Sequence, residues 1–367
     1  MKEKILILAN FDVGLYRFRK ELISELINRN YEVSISLPEG DLIENLKDLG
    51  CKYYETEVDR RGLNPLIDLK LIKRYFQIIK ECKPSLIITY TIKPNIYGGL
   101  ACRLLKVPYA VNITGLGTAF QKEGLLKKFV VFLYKLACKK AKVLFFENEE
   151  NRQIFLKEKI AREEQTCLLM GAGVNIEEYQ YTEYPGKNTP TRFLFIGRVM
   201  KEKGVDELFE AAKRIKKEYP EVKFDIVGPF EDDYGKVIAE LDCDGVISYH
   251  GFQNDVKPFI AQSHCFILPS WHEGMANTNL ESAAMGRPLI TSRIHGCMEA
   301  VMEGMSGFLC EKQNVESLYE AMKSFVELSH EEREVMGRAG RKHMEDVFDK
   351  KKVVEKTVGR LLEGIDN

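Results

Sequence analysis

The stretch Cys265-Phe-Ile-Leu-Pro-Ser-Trp-His-Glu-Gly-Met-Ala-Asn-Thr-Asn-Leu-Glu-Ser-Ala-Ala-Met-Gly-Arg-Pro288 joins an apolar run, a polar loop and a helical segment. Its first four residues form a continuous apolar run, which is typical of a strand buried on both faces of a parallel sheet. The helix that follows has a clear end, because Gly286 suits a helix C-terminus and Pro288 cannot continue the helix. The stretch therefore predicts one strand–loop–helix unit of an α/β fold.

Similar units run through the rest of the chain. Apolar runs alternate with amphipathic stretches, such as Leu15 to Leu26, in which apolar residues recur at helical spacing. This alternation predicts a doubly wound α/β architecture with parallel sheets. The predicted strands are Ile5–Ala9, Val33–Leu37, Leu86–Thr89, Tyr109–Val111, Val143–Phe146, Phe193–Ile196, Phe224–Val227, Cys265–Leu268 and Leu289–Thr291.

A polar stretch with proline and glycine, Thr182–Thr191, interrupts the alternation and is the predicted linker. A chain of 367 residues is long enough for two domains. We predict a first domain over residues 1–180, a second over 190–345, and a C-terminal helix over 346–367 that packs back on the first domain. Ligands of such sheets bind at the carboxyl ends of strands, so the functional motifs should follow the apolar runs.

Composition and charge exclude several classes of protein. The formal net charge is -1 at pH 7, so no overall field attracts nucleic acid. The nine cysteines are scattered without a CxxC pair, which indicates reduced core residues and neither disulfides nor a zinc site. No run of 18 apolar residues occurs, and the segment before Ile5 is too short for a signal peptide. We therefore expect a cytoplasmic protein.

The opening stretch holds the first candidate site. A helix that starts near Asn277 directs backbone N–H groups toward an anion such as a diphosphate. Glu273 in the preceding loop and Glu281 in the first helical turn only accept hydrogen bonds, which suits the hydroxyls of a sugar and a ribose. For Glu281 an alternative stays open, because Thr278-Asn-Leu-Glu281 is also a capping-box sequence.

A second motif, Gly197-Arg-Val-Met-Lys-Glu-Lys-Gly204, directly follows a predicted strand. Arg198 offers a forked donor and Lys203 a mobile positive charge, and both suit a diphosphate. Gly204 can open the next helix without a side chain in the way. A solvated turn would explain this motif alone, whereas its combination with the two glutamates favours a nucleotide-sugar site.

The paired glutamates and the upstream Gly-Arg-x4-Lys-Gly resemble the family 4 retaining glycosyltransferases of the GT-B fold, in which two Rossmann-like domains face a central cleft. Gly251-Phe252 and Asp255 fit the same pattern. The resemblance implies that Glu273, Arg198 and Lys203 form the catalytic set, with Glu273 on the donor sugar and the two cations on the leaving diphosphate. The donor contacts that it further implies are Gly197, Gly228, Phe252, Met275, Ala276, Asn277 and Glu281.

Three motifs in the first half narrow the resemblance: Asp59-Arg-Arg-Gly-Leu-Asn-Pro65, Tyr90-Thr-Ile-Lys-Pro-Asn-Ile-Tyr-Gly98 and Asn112-Ile-Thr-Gly-Leu-Gly117. They are similar to bacterial transferases that extend lipid-linked oligosaccharides for capsule, O-antigen or N-glycan assembly. This implies a UDP-N-acetylgalactosamine, UDP-galactose or uronic acid donor and an undecaprenyl-diphosphate-linked acceptor. The cations suit the acceptor diphosphate and the glycines allow close backbone approach to a substrate. The predicted acceptor residues are Arg60, Arg61, Lys93, Gly115 and Gly117, and for Arg60 and Arg61 a solvated charged loop is the alternative.

The first loop, Asn10-Phe-Asp-Val-Gly14, is not a GxGxxG sequence, so no dinucleotide cofactor is expected. Gly14 is predicted to let this loop pass close to the donor phosphate. Asp12 is predicted to bind the acceptor, with an N-cap of the helix from Leu15 as the alternative.

The distribution of histidine bears on mechanism, because the first of the six histidines is His250. An inverting transferase needs a base on the acceptor side, often histidine, and Asp12 is the remaining candidate. We therefore predict a retaining reaction in which the leaving phosphate accepts the proton of the acceptor. Arg198, Lys203 and helix N–H groups would stabilise the leaving diphosphate without a metal ion.

Residues 122–142 carry seven lysines against one acid. A basic amphipathic helix is typical of contact with an anionic membrane surface, here the inner face of the cell membrane. In the alternative, its apolar side packs on the sheet and its lysines are solvated. The apolar residues at helical spacing are Leu126, Phe129, Val130, Leu133, Leu136 and Ala137.

Two other functions fit the sequence less well than transfer of a sugar. A UDP-sugar 2-epimerase of the same architecture would place acid–base groups, including histidine, in the first domain, where no histidine occurs. A nucleotide-sugar-binding protein without catalysis would not need the full set of Arg198, Lys203, Glu273 and Glu281. The sequence therefore favours a glycosyltransferase.

Overall fold

The computed structural model describes residues 2–59, 64–117, 120 and 124–364. Two compact units make up the chain, Met1–Ala172 with Lys351–Asn367, and Gly173–Lys350. Each unit contains one parallel sheet flanked by helices, so the predicted α/β class is confirmed. The boundary after Ala172 precedes the predicted linker, and Thr182–Thr191 belongs to the second unit.

The first unit has a seven-stranded sheet in the order β3-β2-β1-β4-β5-β6-β7. The strands are β1 (Lys4–Leu8), β2 (Glu32–Leu37), β3 (Lys52–Glu55), β4 (Leu86–Tyr90), β5 (Tyr109–Ile113), β6 (Val143–Phe146) and β7 (Thr166–Leu168). The helices are α1 (Asp12–Asn28), α2 (Ile43–Asp48), α3 (Pro65–Cys82), α4 (Gly99–Leu105), α5 (Leu125–Cys138) and α6 (Glu149–Lys157). A π-helical turn, Pro94–Gly98, leads from β4 into α4.

Two apolar cores cover opposite faces of this sheet. Ile5 and Ile7 of β1 enter the core shared with α1 and α2, whereas Leu6 and Leu8 enter the core shared with α3, α4 and α5. Successive residues of a strand point to opposite faces, so burial of both faces requires an uninterrupted apolar run. This is the physical reason that the inner strands are recognisable in the sequence.

The second unit has a six-stranded sheet in the order β10-β9-β8-β11-β12-β13. The strands are β8 (Arg192–Ile196), β9 (Lys223–Val227), β10 (Ser248–Tyr249), β11 (Cys265–Leu268), β12 (Leu289–Ser292) and β13 (Gly307–Cys310). The helices are α7 (Val205–Glu218), α8 (Gly235–Cys243), α9 (Lys257–Gln262), α10 (Asn277–Ala284), α11 (Val315–Glu327) and α12 (His330–His343). The strand order reverses between β8 and β11, and ligands of such sheets bind outside the carboxyl ends of strands at this switch point.

The polar stretch that precedes β8 is held on the second unit. Tyr184 donates a hydrogen bond to the carbonyl of His264 at 2.8 Å, and Arg287 donates to the hydroxyl of Thr182 at 2.6 Å. Arg287 is fully buried and makes its bonds to oxygen atoms of Thr182, Glu183 and two residues at the end of α9. The predicted linker is therefore a packed segment, since its composition resembles a linker while its side chains have specific partners.

The last helix, α13 (Lys350–Leu362), belongs to the first unit. Val353, Val358 and Leu361 enter the same apolar core as β1 and α1. Lys142 Nζ also donates to the carbonyl oxygen of Leu361 at 2.8 Å. The chain thus returns to its first unit after completing the second, as the sequence predicted. None of the helices in the described part of the chain is both long enough and apolar enough to cross a membrane.

Candidate functional site

The loops that follow β8 and β11 form the candidate site of the second unit. These strands are neighbours in the sheet, so their carboxyl ends lie side by side at the switch point. The first loop runs from Gly197 to Gly204 and the second from Pro269 to Ala276. Both motifs that the sequence singled out are therefore brought together at one edge of one sheet.

Gly204 allows the two loops to come close to each other. Its φ of 70° lies in the left-handed region, and a Cβ atom at this position would stand 2.1 Å from the carbonyl oxygen of Pro269. Only glycine fits such a backbone and such a contact without strain. The backbone N–H of Trp271 also donates to the carbonyl of Glu202 at 2.9 Å. These contacts position Lys203 beside the second loop.

Lys203 and Glu273 form an ion pair between the two loops, and both side chains are largely buried. The same carboxylate oxygen, Glu273 Oε1, accepts a hydrogen bond from Ser270 Oγ at 2.8 Å. A charge in such surroundings is stable only with a partner, so each group holds the other in place. The structure thus joins two of the three predicted catalytic residues, while Ser270 is a partner that the sequence did not indicate.

Arg198, the third predicted catalytic residue, lies at the start of the first loop. Its guanidinium is 3.5 Å from Glu231, and about half of its side chain is exposed, at 48%. An exposed ion pair of this kind contributes little to stability, about 0–1 kcal/mol. Arg198 can therefore exchange Glu231 for another anion at small cost.

Helix α10 begins at Asn277, close to the start that the sequence predicted. Its N-cap residue is Ala276, and no described side chain caps this end. Thr278 lies inside the helix, so the capping box proposed as an alternative for Glu281 does not form. Glu281 stands in the second turn of the helix. The N–H of Asn279 is already bonded to the carbonyl of Ala276 at 3.0 Å, so an anion at this helix start would use the N–H groups of Asn277 and Thr278.

Two buried polar atoms near Glu273 in the chain have no hydrogen-bond partner among the described residues. They are Nε1 of Trp271 and Oδ1 of Asn277. An unpaired buried polar group costs about 1–3 kcal/mol, so native proteins rarely keep two of them so close in sequence without a reason. Binding sites for polar ligands are one such reason.

The segment after β12 packs against the second loop. The backbone N–H of Ala276 donates to the carbonyl of Gly296 at 2.7 Å, so this group is already paired, against the expectation that it contacts the donor. A Cβ at Gly296 would lie 2.6 Å from the carbonyl oxygen of Gly274. Met275 is buried. The sequence analysis missed Gly296, although its place just after a strand end was a usable signal.

Gly197 and Gly228 contact each other at the carboxyl ends of the neighbouring strands β8 and β9. A Cβ at Gly228 would lie 1.8 Å from the carbonyl oxygen of Gly197, and the N–H of Gly228 donates to Gly251 at 2.8 Å. These glycines therefore have a packing role in addition to the predicted donor contact. Phe252, in the next loop, is 60% exposed and free to contact a ligand.

In the first unit, Asp12 and Gly14 lie in the first turn of a helix, and their predicted contacts with the acceptor and the donor phosphate stay predictions. Helix α1 begins at Asp12, so Gly14 lies in its first turn and not in a loop. Asp12 is buried and its carboxylate accepts the backbone N–H of Leu42 at 2.8 Å, so it caps a distant loop and does not N-cap α1. A Cβ at Gly40 would lie 2.4 Å from this carboxylate, so glycine is required beside it.

Lys93 is paired and largely buried. Its Nζ lies 2.7 Å from Asp68 Oδ1, and Tyr97 donates to Asp68 Oδ2 at 2.6 Å. Burial and the Asp68 carboxylate both raise the pKa of Tyr97. A diphosphate would have to compete with Asp68 for Lys93, and this competition was not foreseen because the partners are 25 residues apart in the chain.

The other predicted acceptor residues follow strand ends of the first unit or lie outside the described part. Gly115 has open space around its backbone, whereas Gly117 has a φ of 67° and packs on Ile92. Arg60 and Arg61 lie outside the described residues. Their role in binding an acceptor stays a prediction.

Helix α5 covers most of the stretch predicted to contact a membrane, although Lys122 lies outside the described residues. The predicted apolar stripe is divided, because Val130 and Ala137 are buried in the core while Leu126 and Phe129 are exposed. Two further apolar residues, Leu125 and Phe132, are also exposed. The solvated-helix alternative explains the buried residues but not these four exposed ones.

Among the described residues, no group of three or more His, Cys, Asp or Glu side chains is arranged to hold a metal ion. The sequence does contain one Asp-x-Asp spacing, Asp242-Cys-Asp244, of the kind that binds metal in other transferases. It lies at the C-terminal end of α8. The expectation that the sequence contains no such pair was therefore wrong as to the spacing.

The fold and this site together define a glycosyltransferase of the GT-B class. The structure matches a glycosyltransferase from Rickettsia africae with a TM-score of 0.83 and 20% identity, over 100% of this chain and 99% of that one. Residues 4–148 match the family described as glycosyl transferase 4-like, and residues 181–343 match glycosyl transferases group 1. The chain belongs to the family 4 glycosyltransferases.

Two curated relatives resemble the chain over most of its length. The N,N'-diacetylbacillosaminyl-diphospho-undecaprenol alpha-1,3-N-acetylgalactosaminyltransferase of Campylobacter jejuni is 28% identical, over 87% of this chain and 88% of the relative. The UDP-Gal:alpha-D-GlcNAc-diphosphoundecaprenol alpha-1,3-galactosyltransferase of Escherichia coli is 26% identical, over 84% of each chain. These findings do not support the alternative of an epimerase.

Proposed function

We propose that this glycosyltransferase moves a hexose from a UDP-sugar to a saccharide carried on undecaprenyl diphosphate, with retention of configuration and without a metal ion. The relatives support the substrate classes, because their names specify undecaprenyl-diphosphate-linked acceptors and the transfer of N-acetylgalactosamine or galactose. We assign the reaction to the assembly of a bacterial surface polysaccharide or glycan, at the inner face of the cell membrane.

The ion pair of Lys203 and Glu273, next to the start of α10, is the observation that carries the proposal. A diphosphate at this helix start would attract Lys203 away from Glu273. It would also form an ion pair with the guanidinium of Arg198. The released carboxylate of Glu273 would then accept hydrogen bonds from the donor sugar. Glu281, one turn further along α10, holds the ribose. The unpaired atoms of Trp271 and Asn277 lie in the same segments.

The charges of the site suit a retaining reaction. The bond between the anomeric carbon and the diphosphate oxygen breaks, and the acceptor oxygen forms a new bond to the same face of that carbon. The proton of the acceptor hydroxyl goes to the leaving phosphate, so no separate base is needed. Arg198, Lys203 and the N–H groups of α10 stabilise the negative charge on UDP.

The acceptor is assigned to the first unit, with Arg60, Arg61, Lys93, Gly115 and Gly117 as its contacts. Lys93 would take part only by exchanging Asp68 for the diphosphate. The exposed apolar residues and lysines of α5 support contact with a membrane, where an undecaprenyl chain resides. Asp12 would bind the acceptor while its Oδ2 accepts the backbone N–H of Leu42.

Acceptor-dependent release of UDP tests the reaction. The purified protein is incubated with a panel of UDP-hexoses and a synthetic polyprenyl-diphosphate-linked sugar, and released UDP and the anomeric configuration of the product are measured. We expect release only with acceptor, an α-linked product from one preferred donor, and the same rate with EDTA. Loss of activity in EDTA that Mg²⁺ restores would contradict the metal-free mechanism. Epimerised UDP-sugar without acceptor would contradict the proposed function.

Trp271 provides a separate test of donor binding. It is the single tryptophan of the chain, two residues before Glu273, and its indole N–H is unpaired among the described residues. Titration with UDP should change its fluorescence in a saturable way, and Lys203→Ala should weaken this binding. An unchanged signal and affinity in that variant would place the diphosphate elsewhere.

A further inference from the structure

Exposed apolar side chains are concentrated on two helices of the first unit, in the first turns of α3 and over the first half of α5. They are between 55% and 85% exposed, although each is large enough to contribute strongly to a core if buried. Single exposed apolar residues are normal in soluble proteins, whereas groups of them mark contact surfaces. The residues are Leu66 and Leu69 on α3, and Leu125, Phe129 and Phe132 on α5.

The two helix starts lie on the same face and at the same edge of the sheet. Both α3 and α5 contribute to the apolar core that contains Leu6 and Leu8 of β1, so they cover one face. Each helix leads into a parallel strand, β4 or β6, and therefore starts at the carboxyl edge. Both also contact the π-helical turn Pro94–Gly98, which lies between them.

Both helices combine exposed apolar residues with exposed lysines. On α3, Leu66 and Leu69 at the start are followed by Lys70 and Lys73, all on one stripe of helical spacing. On α5, the apolar residues are interleaved with and followed by three exposed lysines, Lys128, Lys135 and Lys139. On α3 the apolar residues thus lie toward the carboxyl edge of the sheet and the lysines continue away from it, whereas on α5 the two kinds of residue share the exposed face.

We propose that the start of α3 is a second membrane-docking element, which inserts into an anionic lipid bilayer together with α5. Apolar side chains at the helix starts reach the boundary of the acyl chains, while the lysines that follow meet the lipid phosphates. The face of the first sheet that α3 and α5 cover then meets the membrane surface close to its carboxyl edge, where Lys93 lies. The proposal rests on the proposed function, since a lipid-linked acceptor requires such an approach.

The first turn of α3 is anchored to the neighbouring π-helical segment through the buried side chain of Asp68. Asp68 stands between Ile67 and Leu69 in the chain, and its buried carboxylate bonds both Lys93 and Tyr97 of the next segment. This anchoring keeps Leu66 and Leu69 directed outward and prevents the turn from folding them into the core. The charge of the lysines complements an anionic bilayer, whereas a second copy of this lysine-rich face would repel it.

Vesicle binding tests the proposal with the full chain. Co-sedimentation is measured with phosphatidylglycerol-containing vesicles and with neutral phosphatidylcholine vesicles, both free of donor and acceptor. Leu66→Ser combined with Leu69→Ser should lower partitioning into the anionic vesicles at least tenfold. Lys70→Gln and Lys73→Gln should each lower it about fivefold. Leu104→Ser is the matched control, because Leu104 is 68% exposed at the far end of α4, and it should bind as the wild type does.

Three further results decide between explanations. Equal vesicle binding by the wild type and the Leu66→Ser, Leu69→Ser variant would overturn the proposal and leave the proposed function standing. A dimer in sedimentation equilibrium that this variant dissociates would assign the surface to a second copy and also overturn it. Far-UV circular dichroism and urea unfolding verify that the first unit of each variant is folded. Absence of sugar transfer with normal vesicle binding would instead count against the proposed function.

Discussion

Glu273 binds two partners through one carboxylate oxygen, and this shared contact has consequences for catalysis. While Lys203 and Ser270 occupy Oε1, the carboxylate is held in the loop in a fixed orientation. A preoriented acceptor of hydrogen bonds loses little entropy when a sugar arrives. In the proposed reaction, the same pairing keeps Lys203 ready to move to the diphosphate.

Glu273→Ala should therefore lower the turnover number at least 100-fold, which corresponds to about 2.7 kcal/mol of transition-state stabilisation. The measurement is the initial rate of acceptor-dependent UDP release, with circular dichroism to verify the fold. Glu320→Ala, an exposed glutamate on α11, serves as the matched control and should keep the wild-type rate. A near-wild-type rate for Glu273→Ala would refute its role.

Gly204 offers a test of the close approach between the two loops. Gly204→Ala introduces a Cβ 2.1 Å from the carbonyl of Pro269 at a φ of 70°, whereas Gly245 has a φ of 67° with nothing within 4 Å. Gly245→Ala should cost only the left-handed strain, about 1–2 kcal/mol. Gly204→Ala should cost clearly more and weaken UDP binding. Equal losses in urea unfolding, with unchanged UDP affinity, would argue against the close approach.

The segment before β8 shows how an element of polar composition becomes part of a folded unit. His264 accepts the backbone N–H of Arg192 through Nδ1 at 3.1 Å, and its Nε2 lies 3.2 Å from the hydroxyl of Thr189. Burial and the nearby arginines lower the pKa of His264 to about 4. The folded protein therefore holds this histidine neutral at a pH where the unfolded chain would protonate it.

Stability should consequently fall on acidification. The contribution of His264 is fully present above pH 6.5 and decreases as the pH falls toward about 4, because only the unfolded chain takes up the proton in this window. Urea midpoints measured between pH 7.5 and pH 4.5 should show a loss on the order of 2 kcal/mol. His264→Gln should have a smaller pH dependence over the same range. Identical slopes for both proteins would contradict the assignment.

The strands that the sequence did not reveal share one position in the sheets. They are β3, β7, β10 and β13, which are the edges of the two sheets, whereas all nine predicted strands lie inside. An edge strand has a neighbour on one side only and is short or mixed in composition, such as Lys-Tyr-Tyr-Glu in β3. Continuous apolar runs arise only where both faces are covered.

The stability of the first unit depends on the last residues of the chain, because the chain returns to this unit after it completes the second one. Because α13 completes the core of the first unit, its loss should destabilise β1 and α1 and spare the second unit. Leu361→Ala should cost about 2–5 kcal/mol, as expected for a buried leucine. Hydrogen exchange should then increase in the first unit only. Lys356→Ala, an exposed change on α13, is the control, and faster exchange confined to the second unit would contradict this reading of the fold.

Local patterns in the sequence were sufficient to predict the inner strands, the α/β class, the return of α13 to the first unit and both motifs of the second unit. These features depend on neighbours in the chain: apolar periodicity, turn residues and glycines after strands. Tertiary structure decided which polar groups pair. Lys203 with Glu273 and Lys93 with Asp68 are 70 and 25 residues apart, and Asp12 binds Leu42 across 30 residues. Such partners depend on how closely the loops at strand ends approach each other, and that is set by packing of the sheets and not by any local run of residues.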